Sequence, residues 1–103
     1  MSKQRKPYYG LIANKSYGLY VGYVQSFDTK DGVVIATQCR QVCQWYGKTG
    51  GITSLAEYGL CGPRAAESRI GAAMSGTSTL SGVVNVFECS KEAQATFEAA
   101  KQS

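Results

Sequence analysis

The stretch Val33–Tyr46, VVIATQCRQVCQWY, reads two ways, and the choice between them decides the fold. Ile35, Cys39, Val42, Cys43 and Tyr46 stand near helical spacing, yet the same letters suit one long strand. Two features favour the strand. The stretch opens on β-branched residues, which lose rotamer freedom in a helix and pack well on a pleated surface. It also follows DTKDG, Asp28–Gly32, whose Asp31-Gly32 pair is a strong turn signal. Before the turn lies LYVGYVQSF, Leu19–Phe27, with Leu19, Val21 and Tyr23 on one face and Tyr20, Gly22 and Val24 on the other. The two runs therefore read as a β-hairpin. On the second strand Cys39, Cys43 and Trp45 are expected on one face, and Arg40, Gln44 and Tyr46 on the other.

Working outward, SLAEYG at Ser54–Gly59 predicts a short helix. Ser54 would cap it while Glu57 reaches back, and Gly59 would stop it. Cys61–Thr79 is a long connection of small residues with a turn of helix expected after Pro63. LSGVVNVFEC, Leu80–Cys89, reads as a further strand. SKEAQATFEAA, Ser90–Ala100, reads as a terminal helix capped by Ser90, with Ala93, Phe97 and Ala100 as its apolar stripe. The order β-β-α-β-α predicts an α+β fold: a small antiparallel β-sheet with a short central helix and a C-terminal helix. Three strands and a light helix hardly close a core, so a further strand near Leu11–Ala13 or a second subunit is expected. Residues 1–10 read as a flexible basic tail and residues 11–103 as one domain.

Composition narrows the function. The 103 residues are 44% hydrophobic and 17% charged, a globular balance. The net charge of +4 owes three positives to Lys3, Arg5 and Lys6 at the N-terminus, so the remainder is near neutral. No broad nucleic-acid footprint results. No run approaches the ~20 apolar residues of a membrane span. The start MSKQRKPYYG leads into no apolar stretch, which predicts a cytoplasmic protein. Cys39, Cys43, Cys61 and Cys89 are then expected as reduced thiols that pack as small hydrophobes. Their spacing opens with C-x3-C and no histidine exists to complete a mixed site, so neither metal nor cofactor is expected.

Absence of histidine also removes Ser-His-Asp and Cys-His catalysis, Asp28 and Asp31 are taken up by a turn, and Glu57 by a cap. Enzymatic activity is thus the least favoured reading. GKTGG at Gly47–Gly51 lacks the phosphate-loop spacing, because its lysine follows the first glycine directly. A glycine turn feeding a helix can still present backbone N–H groups to an anion. Trp45 and Tyr46 can stack on a base while Arg40, Lys48, Arg64 or Arg69 meets phosphate.

The segment ATQCRQVCQWYGKTGGITSLAEYGL, Ala36–Leu60, resembles an uncharacterised family of short proteins from phages and prophages. Arg40, Trp45, Gly47, Ser54, Leu55 and Gly59 carry the likeness, with Leu80–Glu88 as the late strand, and it spans about residues 18–100. Of these, Arg40, Trp45 and Gly47 are the possible functional cluster, and Cys43 departs from the pattern. The resemblance implies a setting in which small phage proteins counter host defence by blocking a protein or sequestering a nucleotide signal.

Together these readings predict a non-catalytic accessory protein that binds a small anionic ligand, such as a host signalling nucleotide. Trp45 or Tyr46 would stack on the base, and Arg40 with Arg64 or Arg69 would pair with phosphate. Lys48, with the backbone of Gly47 and Gly50, would complete the cradle. A homo-oligomer would give a small fold the pocket that it cannot build alone. The alternatives are a module that inhibits a host protein and a weak binder of single-stranded nucleic acid.

Overall fold

The computed structural model describes residues 6–15, 18–47 and 51–102. Its elements follow the chain as β1 (Tyr8–Asn14), β2 (Gly18–Asp28), β3 (Val33–Gln44) and α1 (Ile52–Tyr58). A 3-10 turn (Ala65–Glu67), β4 (Arg69–Ile70), β5 (Thr77–Leu80), β6 (Val83–Glu88) and α2 (Lys91–Ala99) complete it. Val33–Gln44 is a strand, and the α+β architecture with its antiparallel sheet, short internal helix and C-terminal helix is as the sequence predicts. The strand near Leu11–Ala13 exists and is longer: Tyr8, Tyr9 and Gly10, read as tail, belong to β1, and Tyr9 is buried.

The strands lie in the order β4-β3-β2-β1-β6, all antiparallel, and β5 pairs along β3 at a different height from β4. β5 and β6 thus occupy opposite sides of the sheet, yet only Ser81 and Gly82 join them. Four interstrand steps would separate them by roughly 19 Å in a flat sheet. Two linking residues reach at most about 11 Å. The sheet must therefore curl, and the link is tied down where it closes. Val83 N–H donates to Gly32 O (2.9 Å), Lys15 N–H donates to Gly82 O (2.8 Å), and the Asn14 side chain donates to Ser81 O.

The curl explains why the protein has two cores. Ile12, Val24, Val34, Ala36 and Val83 are buried inside the curled sheet, flanked by Leu80 and Val86. The outer face carries the helices over Tyr9, Leu11, Val21, Val42 and Ile70, which meet Leu55, Ala93 and Phe97. A fully buried side chain of this kind contributes about 1.5–3 kcal/mol.

β3 serves both cores by means of a bulge. Tyr23 pairs with Thr37, but Val21 pairs with Arg40, so β3 carries one residue more than β2 between these points. Gln38 takes up the excess with φ +52°. An extra residue exchanges the faces of everything beyond it. Val34 and Ala36 consequently point into the curl, whereas Arg40 and Val42, at the same parity, lie on the helix side. Gly22 makes this crossing possible: a Cβ there would stand 3.0 Å from Thr37 O and 3.1 Å from Cys39 Cα.

The turn and helix ends follow local chemistry. Asp28 Oδ1 accepts from Lys30 N–H (3.0 Å) and Asp31 N–H (3.2 Å), and Gly32 closes the hairpin onto Asp28 O. Helix α1 begins earlier than expected. Gly51 is its N-cap, without a side-chain cap, and Ser54 lies inside the first turn. Ile52 packs against the outer core, so burial rather than capping sets the start. Gly59 ends the helix at φ +72° with its N–H on Leu55 O, as its sequence position predicts. Ser90 caps α2 by accepting from Ala93 N–H (3.0 Å), and its own N–H donates to Ala56 O (3.0 Å), which locks the two helices together. Ala93 and Phe97 form the buried stripe of α2, with Ala100 packed beside them.

All four cysteines are free. Cys39 and Cys89 are buried as expected of small hydrophobes, but Cys43 is exposed and Cys61 half-buried. Burial pushes the Cys89 thiol up to about 12, reinforced by nearby Glu88, and burial likewise raises Cys39.

Candidate functional site

Where β3 ends, Tyr46 becomes the centre of a polar corner. Its backbone N–H donates to Ser68 Oγ (3.1 Å) and its carbonyl accepts from Cys61 N–H (3.4 Å), which fixes the ring over the connection before β4. The Arg64 guanidinium lies 4.1 Å from the ring centroid, and Arg64 Nη2 donates to the Tyr46 hydroxyl (3.0 Å). Gln44 Nε2 donates to the same hydroxyl. Glu67 steadies the arginine in a fork: Arg64 Nε reaches Oε2 (3.2 Å) and Nη2 reaches Oε1 (3.0 Å). These bonds hold the Glu67 carboxyl below the usual carboxylate range. Arg69, on β4, is exposed and pairs in register with Gln44, so a second guanidinium stands on the neighbouring strand.

The corner can attract an anion and offer it a flat surface. A guanidinium has five N–H donors. Glu67 and Tyr46 engage those on Nε and Nη2, and among the described residues the pair on Nη1 is left for a ligand. Arg64 is 58% exposed, so its outer face is open to stacking.

The structure thus joins Tyr46 to Arg64, sets Arg69 on the strand beside Gln44, and separates these from two of the other expected residues. Trp45 is half-buried and packs against the outer core. Arg40 is buried among backbone carbonyls: Nε donates to Gly71 O (2.6 Å), Nη1 to Phe97 O (2.7 Å) and Nη2 to Ile70 O (3.5 Å). It thereby fastens the last turn of α2, whose carbonyls favour a cation, to the sheet edge. Gly47 approaches the end of α1 so closely that a Cβ would meet Gly59 O at 3.0 Å. Lys48 and Gly50 lie outside the described residues.

Sequence reading passed over Gln44, Glu67 and Ser68. The Arg64-x-x-Glu67 spacing was the available signal, since residues three apart on a helical turn face each other. Nothing local announces that Ser68 reaches Tyr46.

Among the described residues no group of three His, Cys, Asp or Glu side chains is placed to hold a metal ion. No described helix is long and apolar enough to cross a membrane.

Fold and corner together define a small α+β protein with a curled antiparallel sheet and a cationic, aromatic surface where its longest strand ends. The family DUF6948, a domain of unknown function, matches residues 8–97, and the chain belongs to it. The match opens at β1 and closes within α2, so it takes in both cores. No curated protein and no solved structure matches the chain.

Proposed function

We propose that this protein binds rather than catalyses, and that its ligand is a small anion with a planar ring held at the Tyr46 corner. The observation that supports this most is the Arg64 guanidinium lying 4.1 Å over the Tyr46 ring, with Nη1 uncommitted among the described residues. The ring of the ligand would stack on the outer face of Arg64. Its phosphate or carboxylate would meet Nη1 and the Arg69 guanidinium. No metal or cofactor enters this reading.

The likeness to short phage and prophage proteins supports a more specific version: an accessory protein in the host cytoplasm that sequesters a signalling nucleotide. The openness of the corner supports a homo-oligomer, because one chain cannot enclose a nucleotide on so exposed a surface. In that version a second copy supplies the missing wall.

Native mass spectrometry of freshly purified protein, with released small molecules identified afterwards, is the test. An oligomer carrying a stoichiometric phosphate-bearing compound, lost in Arg64→Ala, is the expected result. A ligand-free chain that captures one host protein, with capture unchanged in Arg64→Ala, would replace the reading with a protein-interaction module. Salt-sensitive binding to single-stranded oligonucleotides alone would replace it with nucleic-acid binding.

A further inference from the structure

A cavity of about 280 Å³ opens beside the β3 bulge, lined by Tyr9, Gln38, Arg40, Ala73 and Glu98. Its origin is the way the sheet edge runs past the bulge. Gly71 N–H bonds to Gln41 O (2.9 Å) and Met74 N–H to Cys39 O (3.0 Å), and the intervening Ala73 forms one lip of the cavity. Gln38, at φ +52°, is another wall. Non-glycine residues adopt that conformation only when their surroundings hold them there, and such strain gathers at functional sites.

The cavity carries one charge of each sign. Arg40 is only 8% exposed, and among the described residues its hydrogen bonds run to neutral carbonyls and to no carboxylate. Those bonds use three of its five N–H groups. Glu98, an exposed residue that also lines the cavity, accepts from the Tyr23 hydroxyl (2.6 Å) and from Gln94 Nε2 (3.4 Å), again neutral partners. A buried cation without a counter-ion is costly, and an anion that solvates it offsets the cost. Tyr9 lines the cavity beside both charges, its ring edge-on to Tyr23 at 5.2 Å.

We propose that this cavity is a second binding site, built for a small zwitterion of the free α-amino acid class. The ligand carboxylate takes the two remaining Arg40 N–H groups and its ammonium takes Glu98. The volume lies at the small end of ligand sites, which suits an amino acid and leaves no room for a nucleotide. The Gln38 amide at the wall supplies the neutral polar contact that orients the ligand. This site is independent of the Tyr46 corner, from which Arg40 is separate.

The test is a titration of the full chain with each of the common L-α-amino acids, followed by amide chemical shifts. At least one should bind at about 1 mM or tighter, with shifts at Gln38, Ala73 and Glu98. Glu98→Gln keeps the side chain's size and one oxygen to accept from the Tyr23 hydroxyl while removing the charge, and it should weaken that amino acid about tenfold or more. The N-acetylated form lacks the ammonium; it should bind wild type about tenfold less tightly and Glu98→Gln no less tightly than wild type. Arg64→Ala should leave amino acid binding unchanged, which separates this proposal from the one above. Failure of every amino acid to bind at about 10 mM overturns the proposal and leaves Arg40 as a fastening of α2 alone. An N-acetyl derivative that binds wild type as tightly as its parent, or an affinity unmoved by Glu98→Gln, overturns it too.

Discussion

Replacing Arg40 by alanine should cost this protein about 3 kcal/mol of stability. The figure is built from the bonds. Two are short and charge-assisted, to Gly71 O at 2.6 Å and Phe97 O at 2.7 Å, while the one to Ile70 O at 3.5 Å is marginal. Hydrogen bonds to charged groups are worth roughly 1.5–3 kcal/mol each, so the pair gives about 3–6 kcal/mol. Relief from burying an unneutralised guanidinium returns part of that. A domain of this length is stable by roughly 5–15 kcal/mol, so the loss is a large share of the whole. Urea unfolding followed by far-ultraviolet circular dichroism and by the fluorescence of Trp45, the single tryptophan, measures it. The midpoint should fall by about 2 M at an ordinary slope for this size. Arg40→Lys, with one compact ammonium in place of the fork, should fall between the two. A loss below about 1 kcal/mol for Arg40→Ala would show that the guanidinium does not hold α2 to the sheet edge, and the reasoning would be wrong.

Three further outcomes follow from the packing. Gly59→Ala should destabilise by about 3 kcal/mol or more, because its φ is +72° and the new Cβ would stand 2.8 Å from Ala93 Cα; unchanged urea stability would contradict the helix contact. Gln38→Gly should raise stability by up to about 1 kcal/mol by relieving the positive φ, and a clear loss would mean that the bulge is not strained. Stability should be level between about pH 6 and pH 8 and fall as alkali is added. Burial raises the Cys89 pKa to about 12 and the Tyr9 pKa above its ordinary value in the folded state, so the unfolded chain releases these protons first. The slope above about pH 9 is at most ~1.4 kcal/mol per pH unit for each group, and Cys89→Ala should reduce it; an unfolding midpoint level to pH 10.5 would contradict the burial of both.

The elements that bury many apolar side chains were legible in the sequence, and those held by backbone pairing were not. Leu19–Phe27 announces itself by alternation, Val33–Gln44 by its β-branched start and the Asp31-Gly32 turn before it, and Ser90 announces the start of α2. β5 reads TSTL and presents only Leu80 to a core, and β4 is two residues long, so neither leaves a hydrophobic pattern. The bulge escapes for a different reason. Val34, Ala36, Arg40 and Val42 share one parity, which reads as one face, and glutamine gives no sign of a positive φ. The exchange of faces at Gln38 arises because Thr37 pairs with Tyr23 and Arg40 with Val21 on another strand.

The functional residues divide along the same line. Tyr46, Arg64 and Arg69 were singled out by type, and the structure collects them because β4 pairs with the end of β3. Arg40 was singled out beside them, but the bulge turns it toward α2 and away from the corner. Tyr9 was read as tail because an aromatic at the edge of a basic segment carries no periodic signal. Glu98, which lines the same cavity as Tyr9, joins it only because α2 is laid across the sheet.

The most direct test of binding at the corner is an amide chemical-shift titration of the protein with a panel of purine nucleotides, cyclic and linear. The account predicts saturable shifts at Tyr46, Gly47, Arg64 and Arg69 with at least one of them, abolished by Arg64→Ala while the rest of the spectrum is unchanged. Saturable shifts confined to other surfaces, or none with any nucleotide at about 5 mM, would contradict it.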